Sequence, residues 1–367
     1  MPLAAIALRM TPGIGIKGAV HLLELFGDAQ AVFDASFEEL TGRAELRPDL
    51  AWAVVQRKGF APAEKELRYC ARHGLQVLTS SDAAYPRLLL EMPDYPPVLY
   101  VRGDPAALAL RCLSVVGTRR ATTYGQLTCN RLIEGLSERV ADLCVVSGLA
   151  FGIDAAAHRA ALAAKVPTVA VLANPLPDVS PAQHTFLARE IVDAGGALVT
   201  ETDSHTPQKG TGYLARNRII AGLSSGTVVV ESPESGGSLH TATCADGYHR
   251  VVMAVPGRTS DPSSRGTNHL ISTHKAQLIQ SAGDVIRELM WDLGPQAVPP
   301  RPQTSVAPLT PEEEQLLARF PASDPVAVAE LASASGLDTG TLTALLVSLE
   351  LAGAVRQLPG NRYLKIC

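Results

Sequence analysis

Four short stretches of the chain combine glycines, hydroxyls and guanidinium groups at close spacing. They are Gly117-Thr118-Arg119-Arg120, Ser147-Gly148 through Gly152, Arg216-Asn217-Arg218, and Ser235-Gly236-Gly237-Ser238. Glycine lets a backbone N–H approach an oxyanion closely, and hydroxyl and guanidinium donors complete the shell around a phosphate. Pro256-Gly257-Arg258 and Arg265-Gly266-Thr267-Asn268 repeat the theme more weakly. The chemistry these residues suit is anion binding rather than bond breaking. There is no G-x-x-x-x-G-K-[ST] loop and no H-E-x-x-H pair, and Ser147 lacks the G-x-S-x-G frame of a nucleophile elbow. Asp154 and Glu231 fall at strand ends, where a carboxylate caps a helix or pairs with Arg216 or Arg218 more readily than it acts as a general acid. The expectation is therefore no catalytic residue, no metal ligand, no cofactor and no enzyme activity.

These loops need a scaffold that brings them together. From Gln76 onward, short apolar runs alternate with amphipathic stretches: Cys112–Gly117, Leu143–Gly148, Pro167–Ala173, Ala197–Glu201, Gly226–Glu231 and Arg250–Pro256 as strands, with helices near 123–140, 153–165, 184–194, 213–223, 238–248 and 283–291. That alternation predicts an α/β fold, an extended Rossmann-like and mostly parallel sheet whose ligand edge lies at the carboxyl ends of the strands. Leu75–Leu78 and Val98–Val101 extend the sheet at one edge. Residues 1–75 read as short helices, 76–293 as the Rossmann-like domain, 294–308 as a Pro-rich linker, and 309–367 as a winged-helix domain ending in helix, strand, turn, strand. In the first region Gly13-Ile14-Gly15-Ile16-Lys17-Gly18 matches G-x-G-x-x-G literally. It lacks the preceding strand that a dinucleotide fingerprint requires. It is either a plain packed turn of a helix-hairpin-helix or sterile-alpha-motif-like domain, or an auxiliary DNA contact through Gly13, Gly15 and Lys17.

Composition narrows the partner. The 367 residues carry 46% apolar and 19% charged side chains, with a net charge of −4. A core of ordinary size is possible, but a protein coated in basic residues is excluded. Residues 111–290 hold 16 Lys and Arg against 15 Asp and Glu. The arginines of the loops thus form a concentrated patch on a neutral body, which suits a polyanion held at one site. Residues 309–367 hold 4 basic against 7 acidic side chains, a poor balance for phosphate and a better one for protein contact or regulation. Six scattered cysteines (Cys70, Cys112, Cys129, Cys144, Cys244, Cys367) read as reduced thiols of a cytoplasmic protein. No signal peptide or membrane span is expected.

Taken in order, VVGTRRATTYG, VVSGLAFGIDAAAH, ALVTE, RNRIIAGLS, VVVESPESGGSLHTA, VVMAVPG and GTNHLI resemble the DNA processing protein A (DprA/Smf) family, over roughly Tyr85 to Ile279. The resemblance implies a homodimer that binds single-stranded DNA and loads the RecA recombinase on it during natural transformation. It implies DNA contacts from Gly117, Thr118, Arg119 and Arg120, from Ser147, Gly148 and Gly152, from Arg216, Asn217 and Arg218, and from Ser235, Gly236 and Ser238. The chain departs from the family pattern in three places. Val179–His184 replaces a tyrosine-proline followed by a basic residue, Tyr213-Leu214 replaces phenylalanine-proline, and Lys275 replaces a glycine. The sequence does not fix the dimer surface; an apolar helix such as 212–223 or the one near 238–248 is a candidate. The alternative function is a phosphoribohydrolase-like enzyme acting on nucleotides. Glu234-Ser235-Gly236-Gly237-Ser238 lacks the Pro-Gly-Gly start and the glutamate that such an enzyme needs.

Overall fold

The computed structural model describes residues 2–206, 212–291, 309–321, 324–352, 354–358 and 362–366. The chain divides into two compact units, Met1–Gly294 and Pro295–Cys367. The predicted linker 294–308 lies outside the described residues.

The first unit is organised by a nine-stranded sheet. Its strands are β1 (Gln76–Thr79), β2 (Val98–Gly103), β3 (Arg111–Val116), β4 (Leu143–Ser147), β5 (Thr168–Val171), β6 (Ala197–Thr200), β7 (Gly226–Val229), β8 (Val251–Ala254) and β9 (Gln277–Leu278). They lie in the order β1-β2-β6-β5-β4-β3-β7-β8-β9. From β6 to β9 all neighbours are parallel, and β1 and β2 add an antiparallel edge. The two predicted edge strands are present, whereas the two-residue β9 carries too short a pattern to be read from sequence. β3 to β7 are almost wholly buried because helices cover both faces.

Strand alternation decides which helix packs where. Leu113 and Val115 of β3 join the core under α8 (Thr123–Ser137), α9 (Ile153–Ala163) and α14 (Ala282–Glu288). Cys112 and Val116 face the other core, beneath α11 (Gly212–Leu223) and α12 (Gly237–Gly247). Ser114, on that second face, donates to the Ile220 carbonyl at 2.7 Å. α7 (Arg87–Leu90) and α13 (Arg265–Ser272) pack on this second face, and α10 (Thr185–Asp193) packs beside α9. The stretch Arg265–Asn268, read from sequence as a loop, is the first turn of α13. In α11 every residue from Arg216 to Leu223 is buried within its own chain, and only its first turn, with Leu214 and Ala215, is exposed.

Six helices precede the sheet: α1 (Pro2–Met10), α2 (Ile16–Phe26), α3 (Ala29–Asp34), α4 (Phe37–Gly42), α5 (Pro48–Val55) and α6 (Phe60–Arg72). The short α3 went unread in the sequence; its start is marked by Asp28, which accepts from the Ala31 N–H at 2.8 Å. The helices share one apolar cluster with Tyr100, Leu172, Leu187, Ile191 and Leu198 of the sheet layer. Tyr69 adds a hydrogen bond to the Leu176 carbonyl at 3.0 Å.

The second unit has α15 (Pro311–Leu317), β10 (Val326–Ala327), α16 (Val328–Ser335), α17 (Thr339–Leu351), β11 (Val355–Leu358) and β12 (Arg362–Lys365). The strands form an antiparallel sheet in the order β10-β12-β11, closed over Leu316, Phe320, Leu331, Leu342, Leu346 and Tyr363. This is the predicted winged-helix pattern; the turn joining its last two strands lies outside the described residues. Among the described residues, no helix is long and apolar enough to cross a membrane.

Candidate nucleic-acid interface

The strand order reverses direction at β3: the chain builds β4, β5 and β6 on one side, then returns to place β7 and β8 on the other. In open α/β sheets the crevice for a ligand opens outside the carboxyl ends of the strands at such a switch point. A cavity of about 340 Å³ lies there, lined among others by Gly117, Thr118, Arg119, Arg120, Ala150, Asp154, Tyr213, Arg216, Asn217, Gly236, Gly237 and Ser238.

Two turns nest against each other to form one wall. Gly117 leaves β3 so close to its neighbours that a Cβ would stand 2.5 Å from Ile153 and 2.8 Å from the Glu231 carbonyl. Gly152, at φ 76°, opens α9, and a Cβ there would lie 2.1 Å from the Thr118 carbonyl. Thr118 donates its N–H to the Glu231 carbonyl at 2.7 Å, which fixes the first turn to the end of β7. Glu231 itself accepts from the Thr122 N–H at 2.9 Å and the Thr122 hydroxyl at 2.5 Å, so this carboxylate is consumed at the start of α8. The N-caps of α9 and α12, Gly152 and Gly236, bring no capping side chain. Of their first-turn N–H groups, Ile153 donates to the Thr118 carbonyl at 3.2 Å and Leu239 to the Gly236 carbonyl at 3.1 Å, whereas Gly237 and Ser238 of α12 line the cavity, where backbone N–H groups suit an anion.

The arginines divide into two kinds. Arg119 and Arg120 are exposed at the cavity, and no carboxylate pairs with either among the described residues. The Arg119 guanidinium lies over the Tyr213 ring at 5.5 Å, and the Tyr213 hydroxyl meets Ser180 at 2.9 Å. Arg216 is buried: Nη1 donates to the carbonyls of Gly148, at 2.7 Å, and Val171, while Nε donates to Asn217 at 3.2 Å. Gly148 has no side chain because the Arg216 guanidinium occupies that place. Burial pushes the Asp154 carboxyl up and the Arg216 guanidinium down, and each is opposed by the other's charge. Arg218 does not line the cavity. Its Nη2 donates to Glu201 at 2.5 Å and its Nη1 to the Asp94 carbonyl at 2.7 Å, so neither Asp154 nor Glu231 is its partner.

The other expected residues are placed as follows. Asn217 ties α11 to α12 by donating to the Gly237 carbonyl at 3.2 Å. Ser147 is buried and donates to the Val115 carbonyl at 2.6 Å, which spends its hydroxyl within the sheet. Ser238 donates to Ser232 at 2.9 Å in the cavity wall, whereas Ser235 is exposed beside the cavity loop and outside its lining. Gly13, Gly15 and Lys17 begin α2 in the helical region, and none of them lines the cavity. Sequence reasoning missed Tyr213 as a partner of Arg119, and it missed the ring of Phe151 lying edge-on to His184 at 4.8 Å. The only hint was that both positions are aromatic within otherwise small or polar segments. Cys70, Cys112, Cys129 and Cys144 are buried, and burial pushes the Cys70 and Cys129 thiols up to about 12.

Residues 76–290 match the family model described as DNA recombination-mediator protein A, and residues 299–361 match the DprA winged helix domain. The chain belongs to the DNA recombination-mediator protein A family. Protein Smf of Escherichia coli K12 is 34% identical over 338 residues, covering 90% of this chain and 87% of that one. The putative DNA processing protein DprA of Mycobacterium tuberculosis H37Rv is 35% identical over 326 residues, covering 85% and 82%. Among solved structures, DprA of Streptococcus pneumoniae superposes with TM-score 0.68 at 29% identity, over 78% of this chain and 98% of that one. DNA processing protein A of Helicobacter pylori, solved to describe its single-stranded DNA binding mode, gives TM-score 0.52 at 27% identity over 60% and 98%. In this member of the family, the nested Gly117 and Gly152 turns place Arg119 at the mouth of the cavity.

Proposed function

We propose that the chain binds single-stranded DNA at this cavity without chemistry on it, and helps to load a RecA-type recombinase on the bound strand. The observation that carries the reading is Arg119, an exposed cation without a carboxylate partner among the described residues, standing at a cavity walled by the start of α12, whose N-cap brings no capping side chain. Three arginines against one aspartate face the cavity, and that aspartate is answered by Arg216. Donors of this kind recognise phosphate and carry little sequence information. The single-strand preference is taken from the H. pylori relative. The recombinase and homodimer readings rest on the family resemblance, and the cytoplasmic one on the scattered cysteines.

Fluorescence anisotropy with single- and double-stranded oligonucleotides across a salt series tests the reading. Tight, salt-sensitive binding of the single strand is expected, with log K falling by about 0.7 per phosphate contact for each tenfold rise in salt. Equal or tighter binding of duplex would refute the strand preference. For recombinase loading, the expected result is faster RecA filament growth on strands coated with single-strand-binding protein. The nucleotide-hydrolase reading needs a carboxylate free to act on a bound ring. Glu231 is spent on Thr122 and Asp154 faces Arg216, so incubation with nucleoside monophosphates should release no base.

A further inference from the structure

On one side the cavity is served by arginines; on another, no Lys or Arg occurs between Lys165 and Arg189. That segment runs past the rim of the cavity, because His184 packs against Phe151 and Phe151 lies between Ala150, in the lining, and Gly152, against Thr118 and Arg119. The chain has seven phenylalanines. Only two are exposed, Phe151 at 44%, with its ring against His184, and Phe186 at 72%, two residues further along the chain. His184 is 5% exposed and its Nδ1 meets the Leu149 carbonyl at 2.7 Å, so it cannot turn outward to a phosphate without breaking that bond. It packs edge-on against the Phe151 ring, with 4.8 Å between centroids and 60° between planes, and so supports that ring. An exposed ring fixed beside a phosphate site is what a nucleobase stacks upon, since every base presents a π-face.

We propose that Phe151, buttressed by His184, is a stacking platform for a nucleobase of the strand whose phosphate is held at Arg119. The proposal rests on the single-stranded DNA reading above. It replaces charge by ring contact on this side of the cavity, so its contribution is insensitive to salt.

The test measures binding of an oligodeoxythymidylate and of an abasic deoxyribose-phosphate strand of equal length, to the full chain and to Phe151→Ala and Phe151→Leu. Phe151→Leu keeps apolar packing on His184 and removes only the aromatic face. Both variants should weaken thymidylate binding about tenfold at every salt concentration and leave abasic binding unaltered. Equal weakening for the two strands, full recovery in Phe151→Leu, or no loss in either variant would overturn the platform. If the unaltered chain binds the abasic strand as tightly as the thymidylate, the platform fails while strand binding stands. If it binds neither strand at low salt, the functional reading falls and the platform with it.

Discussion

The turn Gly117–Arg120 and the helix start Arg216–Arg218 carry the same residue types, yet the fold gives their arginines different work. Arg119 and Arg120 leave a strand on a turn that glycines press outward, so their guanidinium groups end in solvent at the cavity. Arg216 and Arg218 stand in a helix buried along most of its length, so theirs end among carbonyls and carboxylates. An arginine contributes to ligand affinity where its donors are unspent. Where its donors are already engaged by the fold, it contributes to the shape of the site instead.

Removing one arginine of each kind should separate the two roles. Arg218→Ala leaves Glu201 and Asp94 without their cation in a poorly hydrated setting, which costs about 3–5 kcal/mol. Thermal unfolding followed by circular dichroism should show a fall of about 10 °C. A fall of only a degree or two would mean that Arg218 is not a structural arginine.

The buried surroundings of Arg216 make a pH prediction of intermediate size. Burial, followed by the charges of His184 and Arg216, pushes the His158 imidazole down to about 3. The unfolded chain takes up that proton near 6.5, so between those values the unfolded state binds more protons than the native one. Stability therefore rises with pH across this window and falls on acidification below about 6.5, by about 1.4 kcal/mol per pH unit. Denaturant titrations at pH 7 and pH 5 should show the loss, and His158→Asn should flatten it. A difference unaltered in that variant would assign the titration elsewhere.

Arg119→Ala tests the solvent-facing side of the comparison. Affinity for single-stranded oligonucleotide should drop about tenfold, and the salt slope should lose about 0.7, the share of one phosphate contact. The melting temperature should stay within a degree, because no hydrogen bond or ion pair of the fold is lost. The smallest effect is expected at the acidic second unit. Removing residues 295–367 should change single-strand affinity by less than about twofold, since 5 basic against 7 acidic side chains disfavour phosphate. A larger loss, with a lower salt slope, would place a DNA contact in that unit.

Much of the fold was legible because its signals are local. The Val-, Ile- and Leu-rich runs between glycines set strands β3 to β8, and the glycines after β3 and β4 marked the cavity turns. Short elements were not legible: α3 spans six residues and β9 two, too few for periodicity to show. Within the site, Gly117, Gly152 and Gly236 could be placed from spacing alone. The buried state of Arg216 and Arg218 could not, because the carbonyls and carboxylates that claim them come from β4, β5, β6 and the loop at Asp94.

The amino-acid sequence thus determined, by local pattern, a parallel sheet with anion-binding turns at its carboxyl edge. Only the tertiary structure decided which cations face the ligand, because that depends on which distant backbone and side-chain acceptors reach each guanidinium first. It also set His184 against the Phe151 ring, with a hydrogen bond to Leu149 that spans 35 residues of chain. Hydrogen-bond partners so far apart in sequence are set by packing, and residue type alone does not name them.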